Sequence, residues 1–408
     1  MSMSEVRCPV SGHRAYPFSR DPRAPLEYPA ELKVLRREQP VTQVELWNGN
    51  RVWLVTGFAD ARSVLRDPRL SISPKSEKFP MISPALLAIK GGEASFRTMD
   101  PPKHTEHRRM WAPFFASMRI KAMLPGIQQI IDAAIDRMVA QGNSADLIAD
   151  FALNVPSHVI GHLLAVPESD HDFFQREYMT FLTITNTPEQ IRAAADALNA
   201  FWLEKIEERV RRPGDDIVSE IIVKYVLPGE LTRQELAAMC QLMLRAGHET
   251  TANMIGLGTL VLLQNPDQLA EIRKDLSLMS GAVDEMMRYF SIAQFGLSRV
   301  AAEDIEVGGV TIPKGDGVIV QLLAANHDET EFPDPDKFDI HRAARHHLGF
   351  GAGIHLCMGA PLAKNELEMA LTTLFTRLPS LRLAVDPGEL RYKVDGMFFG
   401  LHALPVKW

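Results

Sequence analysis

The sequence predicts a mainly α-helical fold with a smaller β-rich part, on three observations. Apolar residues recur at helical spacing through most of residues 120–230. Residues 231–263 form the longest uninterrupted helical pattern of the chain. Short runs of β-branched and aromatic residues, broken by glycine turns, lie at 41–55 and 304–320.

Composition narrows the class. The chain has 408 residues, a length that alone suggests two or three domains. It is 46% hydrophobic and 23% charged, ordinary for a globular enzyme with material to bury a cofactor. A net charge of -7 gives no reason to expect a nucleic-acid partner. Cys8, Cys240 and Cys357 are too scattered for a disulfide framework, which fits a reducing compartment. No apolar run reaches bilayer length, and MSMSEVRCPVSGHR lacks a signal-peptide core, so a cytoplasmic protein without a membrane partner is expected.

Residues 1–25 carry prolines and no periodicity, which predicts an irregular arm. Within residues 41–55, Asn48-Gly49-Asn50 separates two β-rich runs as a hairpin turn would. Residues 59–65 read as a short helix ending before Asp67-Pro68, and residues 71–96 dissolve into a long loop with isolated Phe79, Ile82 and Leu86. Pro101 and Pro102 suit a helix start, with His104 and Arg108 one turn apart on the helix that follows and Arg109 facing outward.

Ile127, Ile130, Ile131, Ile135 and Met138 form a core stripe, and residues 191–210 are another helix. A threonine-rich segment, 179–187, lies between helices. Thr232 and Glu235 make a capping box at the head of the long helix. Inside that helix, Gly247 together with Thr250 and Thr251, whose hydroxyls can bond back to carbonyls, predicts a local kink; a close helix crossing is the structural alternative. Glu285 and Arg288 stand three apart on the next helix, residues 304–320 alternate as short strands, 361–378 form a helix, and 391–408 end in a hairpin with Phe398 and Phe399 near its tip.

The stretch LGFGAGIHLCMGAPL, residues 348–362, carries the chemistry. Gly351 and Gly353 permit backbone angles closed to other residues, Gly359 leaves room behind the sulfur, and a helix start at Pro361 can help hold Cys357 as thiolate. A buried structural cysteine is the plainer reading. The glycines do not complete G-x-G-x-x-G, no C-x-x-C partner exists, and His248-Glu249 begins H-E-x-x-H but meets Ala252.

The pattern F-G-x-G-x-H-x-C-x-G resembles the haem-binding loop of the cytochrome P450 family at Phe350, Gly351, Gly353, His355, Cys357 and Gly359. Resemblance extends over nearly the whole chain and implies one P450 domain, 1–408. Its β-rich part would span about 26–70, 295–325 and 380–408, and its helical part about 100–290 and 326–379, with haem buried between the long helix and the cysteine loop. It implies haem b (iron protoporphyrin IX), with Cys357 as the iron ligand and His104, Arg108, Arg299 and His355 at the propionates.

Likewise, Ala246-Gly247-His248-Glu249-Thr250 resembles the family's oxygen-activating groove. Ala246 and Gly247 would make room, Glu249 and Thr250 would relay protons, and Thr251 would be the substitute hydroxyl. Glu285, Arg288 and Arg342 resemble its structural triad. Phe79, Ile82, Leu86, Met179, Ala293, Gln294, Phe295 and Phe398 would line the substrate pocket. Where many bacterial relatives have R-G-L, this chain has Phe399-Gly400-Leu401.

The implied activity is insertion of one oxygen atom of O2 into a small or medium, mainly hydrophobic organic substrate. No flavin or nicotinamide fingerprint is present, so electrons would come from a separate ferredoxin and ferredoxin reductase, docking on Arg108, Arg109, Arg345 and Lys364. The rivals are a nitric oxide reductase fed directly by NAD(P)H, a peroxide-driven peroxygenase lacking the acid and alcohol pair, and a non-catalytic haem gas sensor.

Overall fold

A computed structural model describes residues 14–90 and 92–408, so Cys8 and the start of the predicted arm lie outside the described residues. Helix α1 (Ala30–Glu38) precedes strands β1 (Val41–Glu45) and β2 (Arg51–Val55), which pair antiparallel. Gly49 takes a φ of +79° in their turn, as the Asn-Gly-Asn signal predicts. Helix α2 (Phe58–Arg66) and strand β3 (Leu70–Ser71) follow. The helix expected at 59–65 is α2, and α1 adds a second helix to the segment expected to be β-rich. Among its described residues the long loop then contains the short 3-10 turns Pro84–Ile89 and Phe96–Thr98.

The helical part runs through α3 (Lys103–Trp111), α4 (Ser117–Gln141), the short strand β4 (Ser144–Asp146), α5 (Asn154–Leu163), α6 (His171–Leu182), α7 (Pro188–Arg211) and α8 (Ile217–Ile221) to α9 (Arg233–Gln264). The predicted stripe on α4 is inward: Ile127, Ile131, Ile135 and Met138 are buried. Thr232 accepts the Glu235 amide while Glu235 accepts the Thr232 N–H, so the capping box forms. Twenty-two residues of α9 are buried, among them Ile255, Leu257 and Leu260, because helices pack on it from several sides. The helix is continuous over its 32 residues, and Thr250 Oγ1 bonds back to the Ala246 carbonyl within it.

Helices α10 (Pro266–Lys274) and α11 (Leu278–Phe290) lead to strands β5 (Leu297–Ala301), β6 (Ile305–Val307), β7 (Val310–Ile312) and β8 (Gly317–Val320), then to the short helix α12 (Leu322–Ala325). The five-stranded sheet has the order β1-β2-β8-β5-β3, with β2 and β8 parallel and its other pairs antiparallel. From residue 326 to 352 no helix forms, contrary to expectation. Pro333 and Pro335 lack an amide donor, and Gly349 and Gly351 favour turns, so the chain wraps instead. Helix α13 (Ala360–Arg377) packs on α4, α9 and α11. Strands β9 (Arg382–Leu383) and β10 (Pro405–Lys407) close a second sheet with β4. One apolar cluster extends from Phe96 to Val406 and fills the space around α9.

Candidate functional site

The cysteine loop is held by its backbone. Gly353 has a φ of +71°, and a Cβ there would lie 2.4 Å from the Leu65 carbonyl oxygen on α2, so only glycine fits. Gly351 has a φ of +75°. The Cys357 amide donates to the Phe350 carbonyl at 2.9 Å, folding the loop back before α13 starts. Cys357 itself is exposed. Desolvation raises its thiol above the ordinary value, outweighing the opposing pull of the Gly359 and Ala360 amides and of the Arg108 charge. A Cβ on Gly359 would meet only Phe115 Cε1, at 3.9 Å, so the chain itself demands no special room there.

Around this loop gather the predicted cations and one more. His104 and His355 lie with ring centroids 4.3 Å apart. Arg108 Nη2 donates to the Leu356 carbonyl at 2.6 Å, and Arg299 Nη1 to the Ser298 carbonyl at 2.8 Å. Burial, then the charges of Arg299, His104, Arg108 and Arg97, push His355 down to about 3. Burial lowers Arg97 and Arg299 to about 10. Among the described residues none of these guanidiniums makes an ion pair, and both ring nitrogens of buried His104 lack a hydrogen-bond partner. Guanidiniums without a carboxylate, and buried imidazoles whose charge burial disfavours, gathered near an exposed thiol fit a flat metal cofactor with anionic edge groups. The residues present therefore fit a haem, which Cys357 and these side chains would hold.

Along α9 the expectations divide. Ala246 is exposed although it sits mid-helix in the core, and Thr250 Oγ1 donates to its carbonyl at 2.6 Å. Gly247 instead faces α5: a Cβ would lie 2.9 Å from Ile160 Cδ1, so its small size serves helix crossing rather than room for oxygen. Thr251 is buried. Glu249 does not stand free in a groove. Its Oε1 accepts from Lys393 Nζ at 2.7 Å and from Asn253 Nδ2 at 3.1 Å, while Oε2 is buried without a partner. Lys393 comes from the C-terminal hairpin, where its amide donates to the Gly400 carbonyl.

Several proposed pocket residues are employed elsewhere. Met179 lines a recess with Leu153, Gln175 and His248. His248 lies roughly 200° around α9 from Thr250, so Met179 is on the wrong side of that helix. Ile82 and Phe295 are buried with Tyr16, Leu32 and Leu323, and Leu86 packs against them. Gln294 spends its amide on the Lys393 and Gly396 carbonyls, pinning the hairpin. Ala293 bridges to Phe398, which is half-buried near Ile191 and Met397, and Phe79 is half-buried in the long loop. Phe399 is fully buried, stacked on Tyr392 with the Arg20 guanidinium 3.7 Å above it.

Glu285, Arg288 and Arg342 do come together. Arg288 donates to both Glu285 oxygens at 2.7 and 2.8 Å, Arg342 Nε to Glu285 Oε1 at 3.2 Å, and Arg288 Nη1 to the Asn326 carbonyl. The four-residue basic docking face does not hold. Lys364 is neutralised by Asp284 at 2.5 Å and Arg108 turns inward, leaving Arg109 and Arg345 exposed. Sequence reasoning gave no role to Arg97, Arg245 or Lys393. For Arg245 the signal was present: a cation in the otherwise apolar run LML-R-AG of a core helix.

The family model described as Cytochrome P450 matches residues 157–390. The chain is 43% identical over 392 residues to "Cytochrome P450-SU2" of Streptomyces griseolus, covering 96% of each chain. It is 42% identical over 406 residues to "Pentalenic acid synthase" of Streptomyces avermitilis, covering 100% of each. The crystal structure of the mycinamicin VIII C21 methyl hydroxylase MycCI from Micromonospora griseorubida, bound to mycinamicin VIII, superposes with a TM-score of 0.91 at 37% identity, over 97% of this chain and 100% of that one. Nothing in these likenesses favours the reductase, peroxygenase or sensor readings. Kinship over the whole length of the chain, together with a glycine-braced cysteine, shows that the chain belongs to the cytochrome P450 family and is a haem-dependent monooxygenase of organic substrates.

Proposed function

We propose that the chain, as one domain, holds haem b through Cys357 and uses the electrons of a ferredoxin and its reductase to hydroxylate a small or medium, mainly apolar molecule. The observation that carries this reading is an exposed Cys357 in a loop that Arg108 joins by donating to the Leu356 carbonyl, together with buried His104 without a hydrogen-bond partner and Arg299 without a carboxylate among the described residues. The bound haem would supply O2 activation; the protein supplies the rest. His104, Arg108, Arg299 and His355 would hold the propionates, with Phe350 in the same loop as Cys357. Ala246 would leave room for the group, and Thr250, which donates to the Ala246 carbonyl, orients a proton at its Oγ1. Glu249, next to Thr250 in the chain, is held by Lys393 and Asn253 and would serve that hydroxyl only with the pair opened.

Exposed Arg109 and Arg345 support docking of an acidic electron donor. Scattered cysteines support a cytoplasmic setting. Among the described residues no helix is long and apolar enough to cross a membrane. The test is product formation from a hydrophobic compound library, with a bacterial ferredoxin and reductase supplied. Conversion dependent on O2 and on the ferredoxin is expected; NADH consumption with nitric oxide and no ferredoxin would overturn the reading.

A further inference from the structure

Two neighbouring residues of α9 each end in a buried polar atom with nothing to bond. His248 is 2% exposed and Glu249 4%, and His248 Nε2 and Glu249 Oε2 have no hydrogen-bond partner among the described residues. Such atoms are costly in an interior, and water or a second polar group is their usual partner. Glu249 Oε1 is committed to Lys393 and Asn253, so Oε2 is the atom open to a further proton donor.

His248 also forms the floor of a recess of about 640 Å3 that opens to solvent. Exposed Asp172 and Arg176 stand at its mouth, half-buried Leu153, Gln175 and Met179 form its wall, and buried His248 closes it. Such a recess is roomy enough for water and supplies the polar partners that water needs. The imidazole lies edge-on to Phe174 of α6, with ring centroids 6.0 Å apart. Burial outweighs the charge of Glu249 and lowers His248 to about 4, so the ring is neutral near pH 7. A neutral ring with an open nitrogen accepts a proton and passes it on.

His248, Glu249 and Thr250 are successive residues, each turned about 100° from the last around α9. The acid therefore lies between the face that meets the recess and the face that carries the Thr250 hydroxyl. A path from solvent to that hydroxyl runs around the helix through Glu249 rather than across it.

We propose that this recess is the proton entrance of the enzyme, and that His248 hands protons from its water to Glu249 Oε2 for onward transfer to Thr250. The proton that joins His248 Nε2 leaves it again for Glu249 Oε2, directly or over one water, and the ring returns to neutral. A proton on Oε2 cancels the carboxylate charge that draws Lys393, which is what opening that pair requires. This rests on reading Glu249 and Thr250 as the proton donors of the oxygen chemistry.

The test uses the haem-loaded protein with a bacterial ferredoxin, its reductase and NADPH, and no added substrate. Oxygen then ends as peroxide, by two electrons and two protons, or as two waters, by four of each, so the ratio of peroxide to water reads the proton supply. His248→Phe keeps a ring and removes its nitrogens; Met179→Trp narrows the recess and touches neither acid nor hydroxyl. Each should raise the ratio by about threefold or more, a small part of what a positioned proton donor contributes. Thr250→Val should raise it too, and His248→Phe with Thr250→Val no further than Thr250→Val alone, since both lie on one path. An unchanged ratio in either recess variant, or additive rises in the double variant, overturns the proposal. Should His248→Phe fail to retain haem, Met179→Trp decides in the same way. Failure of the underlying reading looks different: Thr250→Val would itself leave the ratio unchanged, and the proposal falls with it.

Discussion

The Lys393 ammonium lies 2.7 Å from Glu249 Oε1, with the two side chains only 8% and 6% exposed. The acid of the central helix is thus held by a cation from the C-terminal hairpin, 144 residues away. That hairpin also carries Phe398 and is pinned by Gln294. Removing one partner of a buried pair strands the other and costs about 3–5 kcal/mol. Lys393→Met and Glu249→Gln are each expected to destabilise by about that amount, and the double variant by clearly less than the sum. Denaturant titration of the four proteins measures the coupling; strictly additive losses would show that the charges act independently.

Gly353→Ala forces a Cβ to 2.4 Å from the Leu65 carbonyl at a φ of +71°. Backbone on both sides of the clash leaves no side chain to yield. Strain of this kind costs about 1–3 kcal/mol, and more where the clash moves the loop. The variant should lose stability and bind haem poorly, as read from the haem-to-protein absorbance ratio; wild-type haem content would contradict the tight docking of the loop on α2.

Arg288→Lys keeps the charge but loses the fork that serves both Glu285 oxygens and the Asn326 carbonyl. Lysine offers one point charge to a site built for several donors. A loss of about 3 kcal/mol is expected, in the range for damaged buried pairs. A melting curve within a degree of wild type would refute a bracing role for the triad.

Glu235 supplies a pH dependence. Burial opposes its charge, but hydrogen bonds from Lys103 and from Thr232 prevail and hold its carboxyl at about 2, against an ordinary value of 4.5. A depressed folded-state value contributes stability above pH 4.5 that is lost as pH falls toward 2. Wild type should therefore be more stable than Glu235→Gln at pH 7, and the gap should narrow on acidification below about pH 4.5. A gap of constant size from pH 7 to 3 would refute the linkage of α3 to the head of α9.

Local chemistry was legible in the sequence. The capping box at Thr232, the turn at Gly49 and the glycines before Cys357 each act within a few residues of chain, and each forms as expected. What was hidden depends on three-dimensional closure. Lys393 reads as an ordinary surface lysine until the hairpin folds onto Asn253, where Gly400 allows the close approach. Met179 has the right composition for a pocket roof, yet the rotation of α6 against α9 carries it to a different recess. Gly247 was assigned to oxygen access because motif resemblance carries no information about Ile160, on α5, which it meets. Residues 326–352 were expected to be helical from their place in the chain, against their own prolines and glycines.

The ligation of haem iron by Cys357 is tested most directly by the absorption spectrum of the reduced, carbon monoxide-bound protein, recorded for wild type and Cys357→Ser. The account predicts the long-wavelength band of thiolate ligation in wild type and its loss in the variant. A wild-type spectrum of imidazole-ligated haem, or a band that survives the loss of Cys357, would contradict it.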